Sequence, residues 1–548
     1  MQAQSPNPFQ EGLAAAANGD FARAEAIARM LLGRDPNDVH GLQILGFSAF
    51  RRGRNEDALR AFARANEIAP GQPAILYWLG LLLKEGGSFE KAERALAEAV
   101  RINPAYGEAY CHLGEARFQL ARIDDARRAY ENAVRSEPGS PVVLARAAMF
   151  FQQTHELDRA RDLAERAIAI APGDEIAHIA LAEINLGRKD PVAVVEKLEP
   201  LLARPASNDR NAARLHHQLA SAYDRLGRWQ EAFRAYSAAN SLQKNVGRER
   251  IRSEESPLTP DNLDRLIEFF SQADLKAWTR HEALDGPAPV FLLGFVRSGT
   301  TWLDQILSSH PDIVVMEEED NFVDAWREFL LTRKGLERLK DLSAEEIDRW
   351  RAAYWRRARA CLAEDPGERL VVDKVPLNTI QLGLIYRLFP EAKIIFAIRD
   401  PRDSVLSAFQ QHFHINTAMY QFLELETAAA FYDKVMTLGE IIRAKTPLAV
   451  HEIRYEELVM AFEEQTRRLT DFLNLPWTEA MLAYDQTAKQ RAIRTPSAPQ
   501  VIQKPYTSSI KKWRNYQEQM RPALPLLDRW ASKFGYEPSG EDAVQADA

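Results

Sequence analysis

A glycine-rich segment near the middle of the chain has the spacing of an anion-binding loop. It runs from Gly294 to Thr301 with the sequence GFVRSGTT, after a short apolar run and before a helical pattern. Backbone N–H groups of such a loop, with the N-terminus of the helix that follows, bind phosphate or sulfate. Thr300 occupies the position at which a nucleoside-triphosphate loop carries lysine, which disfavours a kinase. The segment predicts a site for a donor whose 5′ group is shorter than a triphosphate, with Arg297 supplying positive charge.

A second polar segment follows a later apolar run. Arg399 comes at the end of that run, and Ser407 lies eight residues further on, two turns into a helix that would begin near Pro401. Ligands of open α/β sheets bind beyond the carboxyl ends of the strands. A guanidinium and a hydroxyl at this position can bind a second phosphate.

Two further segments offer proton-transfer chemistry. The acidic run Met316–Asp320 (MEEED) follows one apolar segment, and Lys374 ends another. A carboxylate can act as general base toward a hydroxyl, and a lysine can neutralise charge that develops on a leaving group. The alternative is that the acidic run is solvated and caps the next helix, as many acidic runs do.

The residues from about 286 onward contain short apolar runs separated by helical stretches. This alternation predicts an α/β domain with a parallel sheet and crossover helices. The five predicted strands are Val290–Phe295, Ile313–Val315, Leu370–Val372, Lys393–Ile398 and Leu448–Ile453. The carboxyl ends of these strands would bring the polar segments together.

The first 240 or so residues repeat with a period of 34. Small residues at fixed positions let two helices approach closely, and a proline ends the second helix of each pair. The proline column consists of Pro36, Pro70, Pro104, Pro138 and Pro172, and an alanine column consists of Ala24, Ala58, Ala92, Ala126 and Ala160. The pattern predicts an α-solenoid of helical hairpins, and a seventh unit recurs near Ala220 and Tyr236.

These patterns resemble two known families. Residues 5–245 resemble tetratricopeptide repeats, and about residues 286–536 resemble the PAPS-dependent sulfotransferases, above all the tyrosylprotein sulfotransferases and bacterial repeat-containing fusions. We expect a linker at 246–285 and a disordered tail at 541–548. The resemblance implies a repeat domain at 5–245 and a sulfotransferase domain at 286–540. It also implies 3′-phosphoadenosine-5′-phosphosulfate (PAPS) as sulfuryl donor.

The resemblance assigns roles to individual residues. Glu318, 21 residues after the loop arginine, corresponds to the catalytic base, with Glu317 and Glu319 as alternatives. Lys374 would neutralise the bridging oxygen in the transition state, and Arg297 would assist it. The implied donor-binding residues are Arg297, Ser298, Gly299, Thr300, Thr301, Arg399, Ser407, Tyr455, Ser509 and Lys512.

The sequence departs from the tyrosylprotein enzymes in two places. Lys511 stands where they carry a serine two residues before Trp513, so the donor site could be closed by Ser508, Ser509, Lys511 or Lys512. Gln411 stands where they place a further arginine near the 3′-phosphate. The second departure weakens a tyrosine-specific interpretation without affecting the donor class.

Composition limits the remaining possibilities. A net charge of −8 argues against nucleic-acid binding, and the two cysteines form no disulfide framework. No apolar run is long enough to span a membrane, and the polar N-terminus shows no signal peptide, so the cytoplasm is expected. His412 and His414 have no third ligand nearby, so no metal is expected.

The acceptor is not specified by any motif. One hypothesis is a protein or peptide captured in the groove of the repeats. A second is a glycan, lipid or small molecule, with the repeats serving assembly, which could include a homodimer. A third is a non-catalytic repeat scaffold that binds a nucleotide.

Overall fold

The computed structural model describes residues 7–205, 208–278, 288–362, 365–485 and 509–540. The chain folds as two compact units, Met1–Asn211 and Ala212–Ala548. The domain boundaries at 245, 286 and 540 stay predictions. Among the described residues, no helix combines the length and the apolar character needed to cross a bilayer.

The first unit is a helical solenoid, as the repeat pattern predicts. Successive helices pair into hairpins, and each column proline lies in the link after the second helix of a hairpin. The helices are α1 (Pro8–Ala17), α2 (Phe21–Arg34), α3 (Val39–Arg51), α4 (Asn55–Ile68), α5 (Pro73–Glu85), α6 (Phe89–Ile102), α7 (Gly107–Gln119), α8 (Ile123–Ser136), α9 (Pro141–Gln153), α10 (Leu157–Ile170), α11 (Glu175–Gly187) and α12 (Pro191–Leu202).

Close helix packing explains the small-residue columns. The five column alanines have no exposed surface. A Cβ atom built on Gly80 of α5 would lie 2.4 Å from Leu96 Cγ of α6, so only glycine fits there. Phe62 occupies the equivalent position under Gly46, and its ring also stacks on Trp78 of the next hairpin at 5.8 Å. A large side chain on the second helix of a hairpin, such as Phe62, therefore packs against the first helix of its own hairpin and against the next hairpin.

The second unit begins with a last helical hairpin and continues as an α/β domain. The hairpin consists of α13 (Asp209–Arg225) and α14 (Trp229–Ser253). The remaining helices are α15 (Pro260–Gln272), α16 (Thr300–Ser308), α17 (Val323–Phe329), α18 (Arg333–Lys340), α19 (Ala344–Cys361), α20 (Leu382–Leu388), α21 (Pro401–Phe409), α22 (Thr417–Tyr420), α23 (Leu425–Lys445), α24 (Tyr455–Met460), α25 (Phe462–Leu473), α26 (Gln517–Met520) and α27 (Leu524–Lys533).

The described part of the domain contains a five-stranded sheet in the order β2-β3-β1-β4-β5. Its neighbouring strands are all parallel, which confirms the predicted α/β fold. The strands are β1 (Val290–Gly294), β2 (Ile313–Glu317), β3 (Leu370–Lys374), β4 (Lys393–Ile398) and β5 (Ala449–Arg454). Because the strands are parallel, their carboxyl ends lie along one edge of the sheet.

One face of the sheet packs on the helix that follows the glycine-rich loop. Leu303, Ile306 and Leu307 of α16 join Leu292 and Val372 of the central strands in a buried apolar cluster. Aliphatic packing of this kind anchors α16 directly behind β1. The loop between them is therefore held at both ends by the core.

We expect Gly80→Ala to lower the free energy of unfolding, because the added methyl group overlaps Leu96 in a packed core. Overpacking of this kind costs about 1–3 kcal/mol. Gly139→Ala is the matched control, because a Cβ atom there meets nothing within 4 Å. Urea unfolding followed by circular dichroism measures both variants. Equal stability of the two would contradict the packing role given to Gly80.

Candidate active site

The glycine-rich loop lies between β1 and α16, and its two terminal glycines are required by close contacts. Gly294 has a φ of 151°, and a Cβ atom there would lie 2.5 Å from the carbonyl oxygen of Ala397. Gly299 has a φ of 94°, and its Cβ atom would lie 2.8 Å from Tyr455 Cδ2. Any side chain at either position would displace backbone or an aromatic ring.

The loop leads directly into the N-terminus of α16. Gly299 is the N-cap residue and has no side chain to cap the first turn. Ser298 donates from Oγ to the carbonyl oxygen of Phe295 at 2.6 Å, which closes the loop on itself. Thr300 and Thr301 form the buried first turn of the helix. The arrangement fits an anion-binding loop, in which backbone N–H groups and the helix dipole attract negative charge.

The two predicted phosphate-binding segments contact each other. Arg297 Nε donates to Ser407 Oγ at 3.0 Å, although the residues are 110 positions apart. Arg399 Nη1 donates to the carbonyl oxygen of Arg297 at 3.0 Å. The structure thus brings both arginines and the serine into one cluster at the carboxyl ends of β1 and β4.

The Arg399 guanidinium also organises the opposite wall of this cluster. Its Nη2 atom donates to the carbonyl oxygen of Ser509 at 2.7 Å, and its Cζ atom lies 4.9 Å from the centre of the Tyr455 ring. Tyr455 Oη and Ser509 Oγ are 3.0 Å apart. Arg399 Nε is buried and has no hydrogen-bond partner among the described residues. A buried donor without a partner is costly, and a bound anion would satisfy it.

Glu318 and Lys374 are joined at the adjacent carboxyl ends of β2 and β3. Lys374 Nζ lies 2.9 Å from Glu318 Oε1 and 3.7 Å from Asp304 Oδ2. Lys374 is fully buried, whereas the Glu318 side chain is 44% exposed. The φ of Glu318 is +41°, and its N–H donates to the Lys374 carbonyl oxygen at 3.0 Å. Glu318 is therefore a partly exposed carboxylate that is paired with a buried ammonium.

A buried aspartate that sequence reasoning missed holds the acidic loop in place. Asp373 Oδ2 accepts from Asn321 Nδ2 at 3.0 Å and from Tyr354 Oη at 2.7 Å. Complete burial raises the pKa of Asp373 to about 6. Asp373 immediately precedes Lys374 in the sequence, but its hydrogen-bond partners could not be deduced from spacing. The bond to Asn321 ties the loop that carries Glu318 to β3.

Asp403 anchors the C-terminal segment beside Arg399, a contact that the sequence did not predict. Its two carboxylate oxygens accept from the backbone N–H groups of Lys511, at 2.7 Å, and Trp513, at 2.8 Å. Burial raises the pKa of Asp403 to about 6. Arg402 lies over the Trp513 ring with its Cζ atom 4.0 Å from the ring centre. These contacts hold the residues that follow Ser509, whose carbonyl oxygen accepts from Arg399.

The alternatives for the C-terminal closing residue occupy different places. Ser509 contacts Arg399 and Tyr455, as described above, whereas Lys511 Nζ lies 3.4 Å from Glu537. Lys512 Nζ donates to Asp224 Oδ2 at 2.8 Å and to Gln410 Oε1 at 3.1 Å. Neither of these contacts of Lys512 was predicted from the sequence. Ser508 lies outside the described residues.

Two further histidines, His310 and His412, have structural partners. His310 Nε2 bonds to the carbonyl oxygen of Pro476 at 2.8 Å, and its Nδ1 accepts from the Asp312 N–H at 3.1 Å. Gln243 Nε2 lies 2.7 Å from His412 Nδ1. Within the described ranges, no group of three or more histidine, cysteine or acidic side chains is arranged to hold a metal ion.

Comparison with known proteins identifies the class of both parts. Residues 289–479 match the model of the sulfotransferase family. Residues 9–73, 49–110, 83–145 and 117–184 match models of the tetratricopeptide repeat. The chain therefore contains a sulfotransferase-family domain that follows tetratricopeptide repeats.

The individual relatives share less than 30% sequence identity with this chain. An uncharacterized protein of Aquifex aeolicus is 28% identical over 358 residues, which cover 62% of this chain and 44% of the relative. Protein-tyrosine sulfotransferase 1 of Danio rerio is 26% identical over 45% of this chain and 72% of its own length. Omega-hydroxy-beta-dihydromenaquinone-9 sulfotransferase of Mycobacterium bovis is 25% identical over 28% of this chain and 45% of its own length.

We expect Asp403→Asn to destabilise the second unit, because an amide can accept only one of the two backbone hydrogen bonds. An unsatisfied buried donor costs about 1–3 kcal/mol. Asp471→Asn, at an exposed position, is the matched control. Urea unfolding followed by tryptophan fluorescence measures both variants. A stability equal to that of the control would contradict the anchoring role of Asp403.

Proposed function

We propose that the protein transfers a sulfuryl group from PAPS to an acceptor hydroxyl. The observation that carries the proposal is the contact between the two predicted anion-binding segments, Arg297 Nε to Ser407 Oγ. A donor with a 5′-phosphosulfate and a 3′-phosphate carries two anions on one nucleoside. Two cationic segments that meet at one edge of a sheet suit such a ligand. The match to the sulfotransferase family supports the same conclusion.

The 5′-phosphosulfate would bind in the loop from Gly294 to Thr301. Its backbone N–H groups and the uncapped N-terminus of α16 supply hydrogen bonds and partial positive charge. The 3′-phosphate would bind to Arg399 and Ser407, and the unpaired Arg399 Nε offers it a donor. Tyr455 and Ser509 would complete this side of the site. Lys512 is a weaker candidate, since its ammonium already pairs with Asp224.

Sulfuryl transfer would proceed by in-line attack of the acceptor oxygen on sulfur. Glu318 would take the proton from the acceptor hydroxyl as the new O–S bond forms. As the bond from sulfur to the bridging oxygen breaks, negative charge grows on the leaving phosphate, where Lys374 and Arg297 would neutralise it. The Lys374–Glu318 contact of 2.9 Å places the cation and the base beside each other. The buried carboxylate of Asp304, 3.7 Å from Lys374 Nζ, would orient this lysine.

We further propose a protein or peptide as acceptor. Extended repeat arrays are typical binding surfaces for peptides, and this chain has one ahead of its transferase domain. The Danio rerio relative is named for protein tyrosine, which also favours a peptide acceptor. The Mycobacterium bovis relative is named for a menaquinone, so a lipid hydroxyl is the alternative.

Incubation of the protein with a lysate of the source organism and PAPS labelled in its sulfuryl group tests both proposals. These are the sulfuryl transfer and the protein or peptide acceptor. The proposal expects label in a protease-sensitive fraction, and expects it to disappear with Glu318→Gln. If the label appears only in the organic extract, the acceptor is a lipid and the proposal of a protein acceptor is wrong. Absence of enzyme-dependent label in protein, glycan, lipid and small-molecule fractions would overturn sulfuryl transfer.

We expect Arg399→Ala to weaken binding of 3′-phosphoadenosine-5′-phosphate by about tenfold or more, because a charge-assisted hydrogen bond is worth about 1.5–3 kcal/mol. Binding of adenosine 5′-phosphate, which lacks the 3′-phosphate, should fall less, because it loses only the support that Arg399 gives to the glycine-rich loop. Titration calorimetry measures both ligands. Arg467→Ala, which removes a half-exposed surface arginine, is the control. Equal losses for the two ligands would place Arg399 away from the 3′-phosphate.

We expect Glu318→Gln to reduce kcat by about 10²- to 10⁴-fold, the usual contribution of a general base, while donor affinity stays nearly constant. The amide keeps the size of the side chain but cannot accept a proton. Glu319→Gln, the adjacent change within the same acidic run, is the control. If Glu319→Gln abolishes turnover and Glu318→Gln keeps more than about a third of it, the base has been assigned to the wrong glutamate.

A further inference from the structure

The last helical hairpin, α13 and α14, packs on two elements of the candidate donor site. From Ala212 onward it belongs to the same compact unit as the sheet. Its sequence pattern is that of a repeat, so the sequence assigned it to the solenoid. Two of the elements that it contacts are the end of α21 and the segment that follows Ser509.

The hairpin caps the C-terminus of α21. The last carbonyl groups of a helix have no partner within the helix and must be satisfied from outside. Asn240 Nδ2 donates to the carbonyl oxygen of Phe409 at 3.0 Å, and His217 Nε2 donates to that of Gln410 at 2.9 Å. Phe233 stacks on Phe409 with ring centres 5.3 Å apart.

The histidine is suited to this capping role. Complete burial lowers the pKa of His217 to about 4, so its ring is neutral near pH 7. A neutral ring that faces a carbonyl oxygen through Nε2 carries its proton on that atom. Ser407 lies two residues before Phe409, within the turn of α21 that these bonds hold. The hairpin thus fixes the hydroxyl to which Arg297 donates.

Asp224, in the last turn of α13, fixes the second element. Its carboxylate accepts from Lys512 Nζ at 2.8 Å and also from Tyr516 Oη. Lys512 lies three residues after Ser509, whose carbonyl oxygen accepts from Arg399. Lys512 Nζ also donates to the Gln410 side chain at 3.1 Å, which joins the two elements to each other.

We propose that the last repeat hairpin positions the 3′-phosphate site for a 3′-phosphorylated adenosine nucleotide. Asn240 and His217 hold Ser407, and Asp224 holds the segment that carries Ser509. These three are positioning residues, because each acts on the site through another residue. The inference rests on the proposed function, and it makes this hairpin part of the transferase rather than of an acceptor-binding array.

Calorimetry on full-length variants tests this role through the ratio of two affinities, for 3′-phosphoadenosine-5′-phosphate and for adenosine 5′-phosphate. We expect Asn240→Ala to lower the ratio about fivefold, the equivalent of one neutral hydrogen bond. The affinity for adenosine 5′-phosphate itself should stay nearly constant. Glu231→Gln, which changes a partly exposed ion pair on the same hairpin, should leave both affinities unchanged. General destabilisation would lower both affinities together.

Two variants of His217 test the same role if Asn240→Ala does not fold. His217→Phe keeps an aromatic ring but removes the donor, whereas the amide of His217→Gln can donate again. We expect His217→Phe to lower the ratio and His217→Gln to restore it. Unchanged ratios in Asn240→Ala and His217→Phe would overturn the positioning role while leaving the proposed function intact. A wild-type protein without preference for the 3′-phosphate would overturn the proposed function and this inference with it.

Discussion

The candidate site depends on the contacts that the Arg399 guanidinium makes with three other segments of the chain. It donates to the carbonyl oxygens of Arg297 in the glycine-rich loop and of Ser509 in the C-terminal segment, and it packs on the Tyr455 ring. Together with Arg399 itself, these groups come from four separate parts of the sequence. A planar guanidinium can serve several directions at once because its donors are fixed in a rigid fork. Removing it would leave the loop and the C-terminal segment without their common partner.

The cost of burying charge shapes the rest of the site. Lys374 is fully buried, and its charge is balanced by Glu318 and Asp304. Removing one partner of a buried pair leaves an uncompensated charge, which is strongly unfavourable. Arg297 and Glu318 both have positive φ values, 66° and 41°, which L-residues rarely adopt. Strained backbone at two residues with candidate chemical roles is typical of a site selected for geometry rather than stability.

Much of the fold was predictable because it depends on local patterns. The proline and alanine columns predicted the hairpins, and short apolar runs predicted all five described strands to within a few residues. Asp403 and Asp373 escaped prediction because their roles depend on partners distant in sequence, such as Lys511, 108 positions after Asp403. The last hairpin was assigned to the repeats by its period, yet Asn240 and His217 contact the end of α21. Periodicity describes how a helix packs locally and does not identify the domain that its outer face joins.

A crystal structure of the full-length protein with 3′-phosphoadenosine-5′-phosphate tests the central claim most directly. We expect the 5′-phosphate in the loop from Gly294 to Thr301 and the 3′-phosphate within hydrogen-bond distance of Arg399 and Ser407. We also expect Arg399 Nε, which has no hydrogen-bond partner among the described residues, to gain one in the complex. A nucleotide bound elsewhere, or one whose 3′-phosphate points away from Arg399, would contradict the account.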